Sequence, residues 1–576
     1  MKVPVSKRLP YGNADFYRLR MDNFVYVDKT RFIELLENES NQSQLFIRPR
    51  RFGKSLFLST LKYYYDINYA KEFERLFGDL YIGRNPTALR NSYAVMNFNF
   101  SGIDTTNAET FKNSFHENIR HAVLRFIEGY KDIFANSEQV VTQIKNHFYS
   151  ALESIDLALD FAKSAKVRVF VIIDEYDHFA NDLISMGSVF GKDFYKNVIT
   201  ANGLVRDFYE KLKAETDSGT IRKTFITGIS PVMLEDLTSG YNIVSNYSLD
   251  LNYNEMLGFT HEEVDEIMNE VGIEPSNIDV DMEYYYNGYL FNKNATEKVY
   301  NSSMILYFFE QILRHNALPE NLIDPNLSID PKRLSHLIRN ESNRETLIRI
   351  IKDGGIVSNV LEKFSMDRLH NDSHFISLLF YMGLLTIKEA CLNRLRLVIP
   401  NYSIERVYWE QVRQLVEDNA QLVNMNVELV ENSINVMALD GNIHEFIDYV
   451  SQNVLSKLSA RDLQRFDEKY IKVLLLSYLL LNDLYVPMSE YEVVPGFVDI
   501  FLPRNPKYPQ VKYEWVWELK YCKTDATFAE IELARKTGLE QLNQYINSPR
   551  LRERPDLKSA LLIFIGKDKY EIVENQ

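Results

Sequence analysis

A chain of 576 residues, 45% hydrophobic and 25% charged, is too long for one hydrophobic core and too rich in apolar side chains to stay disordered, so several folded domains are expected. Its formal net charge of −15 argues against a protein that coats nucleic acid non-specifically, which takes many Lys and Arg contacts to phosphate, but leaves room for a local basic groove. Two cysteines, Cys391 and Cys522, cannot build a disulfide framework or a structural zinc site, and their scarcity suits a reducing compartment.

The N-terminal residues carry charge with no apolar run behind them, and the longest uncharged apolar stretches, near 375–387 and 473–481, are too short to span a bilayer. A cytoplasmic protein without a membrane partner is expected. In chain order, 45–47, 93–98, 169–173 and 224–227 read as buried parallel strands separated by helical patterns, which is the pattern of an α/β domain. The run 169–173 is apolar on both faces and is expected at the centre of the sheet. After about residue 250 the pattern turns helical, and Thr260-His261-Glu262-Glu263 reads as a capping box. A helix over 375–381, two arms of a β-wing at 384–387 and 395–400, and a helix over 408–416 make a small winged-helix-like segment. From about Leu422 a further unit begins, with a helix over 471–481 and strands at 493–494, 497–502, 513–519 and 561–565; the Pro- and Asn-rich stretch 504–509 reads as a turn.

The strongest local signal is Arg48-Pro49-Arg50-Arg51-Phe52-Gly53-Lys54-Ser55, which follows a strand and opens a helix as a phosphate-binding P-loop does. Gly53 permits the tight turn that aims backbone amides at phosphate, Lys54 would reach the β- and γ-phosphates, and Ser55 would ligate Mg²⁺. Arg50, Arg51 and Phe52 complete the loop that would face ATP. Arg48 stands where the usual first glycine would be. Gly-Lys-Ser alone is a common tripeptide that also fits a plain helix start; the second element decides. That element is Asp174-Glu175 at the end of the apolar run, with Asp174 as a Mg²⁺ ligand and Glu175 as general base for the attacking water. Asp177 and His178 read as surface or capping residues. Thr227, at the end of the next run, is a candidate γ-phosphate sensor.

Together with Tyr26-Val27-Asp28-Lys29-Thr30, Thr227-Gly228-Ile229-Ser230-Pro231 and Tyr286-Asn287-Gly288-Tyr289, these segments resemble the AAA-ATPase-like family of largely uncharacterised bacterial proteins over about residues 4–305. In that family the Arg-containing loop is the norm. The resemblance implies an AAA-type P-loop sheet with a helical lid, and a nuclease-like domain commonly follows at the C-terminus.

In the last unit, Asp499 on one strand precedes Glu518 and Lys520 on the next, and strand alternation puts Glu518 and Lys520 on one face. Two carboxylates for Mg²⁺, or Mn²⁺, and a lysine beside the attacking water suit phosphodiester hydrolysis; the plain alternative is a salt-bridged strand face. Over 473–565 the pattern is similar to the PD-(D/E)XK nuclease superfamily. That likeness adds Glu490 as an upstream metal acid, and Gln541 and Tyr545 as a Q-x-x-x-Y element on the following helix. Val498 replaces the proline of the superfamily name.

The expected architecture is an α/β multidomain protein: a P-loop core at 1–250, a helical lid at 251–330, a winged-helix-like connector at 331–421 and a nuclease-like domain at 422–576. The expected function is ATP binding and hydrolysis coupled to a metal-dependent nuclease acting on nucleic acid. One rival is a non-cleaving ATP-dependent switch whose nuclease-like domain only binds nucleic acid or a protein. Another is a nuclease whose P-loop binds ATP without turnover. DNA versus RNA, an arginine finger and assembly into a homo-oligomer are left open.

Overall fold

The computed structural model describes residues 7–146, 150–186, 203–237, 242–275, 278, 280–319, 321–324, 331–419, 426–458 and 467–575. The chain divides into two compact units, one of 1–347 with 355–401 and one of 348–354 with 402–576. The stretch 331–421, expected as one connector, is thus shared between them, and the expected start of a new unit at Leu422 lies outside the described residues.

The first unit is built on five parallel strands, β1 (Ser43–Ile47), β2 (Tyr93–Asn99), β3 (Arg168–Asp174), β4 (Ile221–Gly228) and β5 (Ser245–Asn246), in the order β2-β3-β4-β1-β5. Every residue of β3 after Arg168 is buried, as its apolar run demands, yet the middle place belongs to β4. The polar residues Lys223 and Thr224 disguise β4 in the sequence. Inside, Lys223 is only 1% exposed, and its ammonium donates to Gln42 Oε1 at 2.9 Å and lies over the Tyr65 ring. Parallel order needs long crossovers, and helices supply them.

Beyond β5 comes the helical lid. Helix His261–Val271 starts at the capping box, with Thr260 accepting from the Glu263 amide and Glu263 accepting from the Thr260 amide. Helix Ser302–His315 is capped by Asn301, whose side chain accepts from the amides of Ser303 and Met304. A three-stranded antiparallel sheet follows, β6 (Gly355–Ser358), β7 (Thr386–Cys391) and β8 (Arg394–Val398), in the order β6-β8-β7. The helix Asp372–Tyr381 precedes the β7–β8 wing. β6 was not anticipated, because four residues after Gly354-Gly355 read as a turn.

The second unit carries the sheet β9 (Met488–Val493), β10 (Gly496–Leu502), β11 (Glu514–Cys522), β12 (Leu557–Ile565) and β13 (Lys569–Asn575), in the order β13-β12-β11-β10-β9. Only β11 and β12 run parallel, and helix Phe528–Ile546 makes the crossover between them. Leu542 and Tyr545 of this helix share a core with Val498, Val516, Leu561 and Ile563. On the opposite face Trp517 packs against Phe446, and the Trp515 indole donates to the Met437 carbonyl at 3.2 Å. β11 is therefore covered on both sides, which fixes the side chains it presents. Among the described residues no helix is long and apolar enough to cross a membrane.

Candidate functional site

The P-loop joins β1 to helix Lys54–Tyr65 through two residues in the left-handed region, Arg51 at φ 66° and Gly53 at φ 92°. Glycine takes that conformation freely, whereas Arg51 must be held there. Its carbonyl accepts from the Ser303 amide and hydroxyl, each at 3.3 Å, and its guanidinium meets the buried Asp324 at 3.1 Å. The Arg50 carbonyl accepts from Asn301 Nδ2 at 3.2 Å. The start of lid helix Ser302–His315 is thereby stitched to the loop.

Arg48, in the place of the usual first glycine, points away from phosphate. It is 1% exposed, donates to the carbonyls of Ile47, Ser248 and Tyr253, and lies between the Phe46 and Phe291 rings, 4.3 and 3.9 Å from their centroids. Burial pushes its pKa down to about 9. It ties β1 to the segment after β5 and to the lid, so the loop is shaped by packing where glycine would shape it by backbone freedom.

Lys54 donates to the carbonyls of Arg48 at 3.0 Å and Pro49 at 2.8 Å. Burial pulls its pKa down to about 8, against the attraction of Asp174, Asp177 and Glu175. Ser55 Oγ donates to Asp174 Oδ2 at 2.8 Å, so the two expected Mg²⁺ ligands already touch. Burial raises the Asp174 pKa, with the Ser55 bond opposing. Glu175, at φ 53°, donates its amide to Asp174 Oδ1, and burial followed by the Asp174 charge raises its carboxyl. His178 Nδ1 lies 3.5 Å from Glu175 Oε2, and its Nε2 lies 3.3 Å from Asp182.

Of the surface or capping role expected for Asp177, the surface half is corrected, while its carbonyl accepts from the Asn181 amide at the start of helix His178–Met186. Asp177 is wholly buried and accepts from the amides of Ile229 and Ser230, the Ser230 hydroxyl and Asn181 Nδ2. It locks the end of β3 to the turn after β4, and a Cβ on Gly228 would sit 2.3 Å from its Oδ1. A carboxylate needed to satisfy a buried turn looks in sequence like any charged loop residue. His178 likewise is no plain surface residue, since it lines the cavity described next. Thr227 is 1% exposed, donates to the Phe46 carbonyl at 2.7 Å and lies outside that cavity's wall.

A cavity of about 640 Å³ opens over the loop. Arg50, Arg51, Phe52, Gly53, Lys54, Ser55 and Glu175 line it, together with the largely apolar Pro10, Tyr26, Met256, Phe259, Ile267 and Leu306. Lys29 is buried, donating to Glu263 Oε2 at 2.6 Å and to the Glu255 carbonyl at 2.8 Å. A pocket lined by the loop, an ammonium and several apolar side chains suits a phosphorylated, flat-ringed ligand. The apolar wall was not assigned from sequence, because it gathers residues from both ends of the unit.

In the second unit Asp499, Glu518 and Lys520 come together. Asp499 Oδ2 accepts from the Leu519 amide at 2.9 Å, and Glu518 Oε1 accepts from Lys520 Nζ at 2.7 Å. Glu518 is 3% exposed and its Oε2 is buried without a hydrogen-bond partner. An orphaned carboxylate oxygen is costly unless a cation or donor completes it, so the donor set fits a divalent ion. Burial, then the Asp499 charge, pushes the Glu518 pKa up, while Lys520 opposes. Lys520 itself is pulled down by burial but held above its ordinary value by Glu518, Glu468 and Asp499. Gln541 and Tyr545 face this centre from helix Phe528–Ile546: the Tyr545 pKa is raised by burial and then by Glu518 and Asp499, and Gln541 bonds to it.

Glu490 sits within β9, at φ 51°, and pairs with Lys472 rather than with Asp499 or Glu518. Lys472, on helix Glu468–Leu479, is 5% exposed and its ammonium is also 3.6 Å from Asp499 Oδ1. Glu468, one turn earlier, interacts with Lys520, Asp499 and Lys472. Neither Lys472 nor Glu468 was singled out from sequence; an acid and a lysine one turn apart at the start of a largely apolar helix were the available signal. Among the described residues no group of three His, Cys, Asp or Glu side chains converges in metal-holding geometry, so the centre offers a carboxylate pair, Asp499 and Glu518, flanked by lysines.

A curated relative from Azotobacter chroococcum mcd 1, described as an uncharacterized protein in the vnfD 5′ region, is 27% identical over 308 residues, covering 53% of this chain and 52% of the relative. The match thus spans about half the length of each. Among solved structures, the Aeropyrum pernix ORC2 protein in its ADPNP and ADP complexes aligns with 12% identity and a TM-score of 0.33, covering 73% of this chain and 98% of that one. Cdc6p from Pyrobaculum aerophilum aligns with 13% identity and a TM-score of 0.25, covering 72% and 97%. Residues 10–238 match the family model described as predicted AAA-ATPase, and residues 466–574 match that of the PD-(D/E)XK nuclease superfamily. The chain therefore joins an AAA-ATPase-like domain to a PD-(D/E)XK nuclease superfamily domain.

Proposed function

We propose that the first unit binds and hydrolyses ATP and that the second is a metal-dependent nuclease whose action on nucleic acid answers to the nucleotide state of the first. Lys54 and the loop amides hold the phosphates, Ser55 and Asp174 hold Mg²⁺, and Glu175 takes the proton of the attacking water. Thr227 holds the end of β4 in register through Phe46, and a part for it in sensing γ-phosphate is indirect. The P-loop core, lid, connector and nuclease-like segments expected at 1–250, 251–330, 331–421 and 422–576 remain our functional division of the chain.

The observation that carries the nuclease reading is the buried, partnerless Glu518 Oε2, on a carboxyl that feels the Asp499 charge and whose other oxygen accepts from Lys520. Asp499 and Glu518 hold the metal, Glu490 supports them through Lys472, and Lys520 orients the water. A divalent ion there lowers the pKa of bound water and offsets charge on the scissile phosphate. The ion pair with Lys520 satisfies only Oε1. The test is a cleavage panel on single- and double-stranded DNA and RNA, with Mg²⁺ or Mn²⁺, with and without ATP. Metal-dependent cleavage removed by Asp499→Ala and by Lys520→Ala is expected. No such cleavage on any substrate would replace this reading with a non-cleaving ATP-dependent switch.

A further inference from the structure

Lys472 brings a second ammonium, itself buried, to the Asp499 and Glu518 centre. Its side chain is 6% exposed, on a helix whose other buried residues are mostly apolar, and its ammonium contacts Glu490 while standing 3.6 Å from Asp499 Oδ1. A lysine buried at that cost is held by the carboxylates it joins. Lys520 occupies the other side of Glu518, leaving Glu518 Oε2 as the buried oxygen without a partner.

The formal charges point the same way. Glu468, Glu490, Asp499 and Glu518 face Lys472 and Lys520. When all four carboxylates are ionised they outnumber the two ammonium groups by two, which is the charge of one divalent ion. Asp499 has one oxygen committed to the Leu519 amide and the other facing Lys472, so it cannot bridge two ions while Lys472 stays.

We propose that Lys472 is a built-in substitute for a second metal, so that this centre holds a single divalent ion between Asp499 and Glu518. The inference rests on the metal reading above and deepens it. Lys472 is a positioning residue: it holds Asp499 and Glu490 together with a fixed charge that no chelator removes, and it leaves the ion at Glu518 as the one exchangeable cation.

The test counts Mn²⁺ ions bound to the full chain by electron paramagnetic resonance and equilibrium dialysis, without nucleotide, and subtracts the count for Asp499→Ala. One Asp499-dependent ion is expected in the parent protein. Lys472→Met, which keeps the length and removes the charge, should raise that count to two by freeing Glu490 and Asp499, and Lys472→Arg should keep it at one. Two Asp499-dependent ions in the parent overturn the inference while leaving the metal centre standing, and this count decides even if Lys472→Met does not fold. A folded Lys472→Met that still binds one ion also overturns it. No Asp499-dependent ion at all removes the metal reading itself.

Discussion

The two sites use the same ingredients, a buried lysine beside buried acids, to opposite ends. In the P-loop, Lys54 gives its hydrogen bonds to two neutral carbonyls, and burial drops its pKa to about 8. At the β10–β11 centre, Lys472 pairs with Glu490, Lys520 donates to Glu518 as well as to the Leu519 carbonyl, and Lys520 is held above its ordinary value. An ammonium cradled by carbonyls keeps its field for an incoming anion, whereas an ammonium paired with a carboxylate is locally neutralised. What remains in the second site is the opposite charge, an orphaned Glu518 oxygen. Who the lysine bonds to, more than whether a lysine is present, sets which ligand a site invites.

Five substitutions sharpen that contrast. The largest effect is expected from Asp499→Ala and Lys520→Ala, each lowering metal-dependent cleavage by about a thousandfold or more in a gel-based assay. ATP turnover should be unchanged, because the substituted residues belong to a different compact unit from the P-loop. Glu175→Gln comes next. Phosphate release should fall by roughly a hundredfold or more, since the amide cannot accept the water's proton, while ATP affinity by calorimetry stays within about twofold. Parent-rate turnover would mean that another group activates the water.

Arg48→Gly restores the glycine that a standard P-loop carries, yet it should destabilise the first unit by about 2–4 kcal/mol through lost hydrogen bonds and ring contacts, read by denaturant melts. A gain in ATP affinity with no loss of stability would contradict the packing role given to Arg48. Smallest is Glu518→Gln. A carboxyl whose folded pKa is raised gives stability that is present at low pH and lost as pH rises through the folded value, so relieving it helps only at higher pH. In metal-free buffer the variant should be more stable than the parent by about 1 kcal/mol at pH 8 and indistinguishable from it at pH 4, by thermal melts.

Much of this was legible in the sequence because it is local. Gly53-Lys54-Ser55 sits where a strand gives way to a helix, and the Glu518–Lys520 alternation needs only the pleat of β11. The capping box at Thr260, the β7–β8 wing and the apolar strands were readable for the same reason. What stayed hidden depends on residues far apart in the chain. Asp177 looks like a loop acid until the turn after β4 closes on it, and Arg48 looks like a defective glycine until Phe46 and Phe291 flank it. Lys223 conceals the middle strand, and Lys472 is one of two lysines on a largely apolar helix until β9 and β10 bring Glu490 and Asp499 to it.

The contrast between an anion site and a cation site is tested most directly by one pair of titrations on the full chain, Mg·ATP analogue and Mn²⁺, run on Lys54→Ala and Asp499→Ala. Lys54→Ala should weaken nucleotide binding by about a hundredfold or more and leave Mn²⁺ binding at the β10–β11 centre unchanged. Asp499→Ala should abolish that Mn²⁺ binding and leave nucleotide affinity as in the parent. Nucleotide affinity that ignores Lys54, or Mn²⁺ binding that ignores Asp499, would contradict the account.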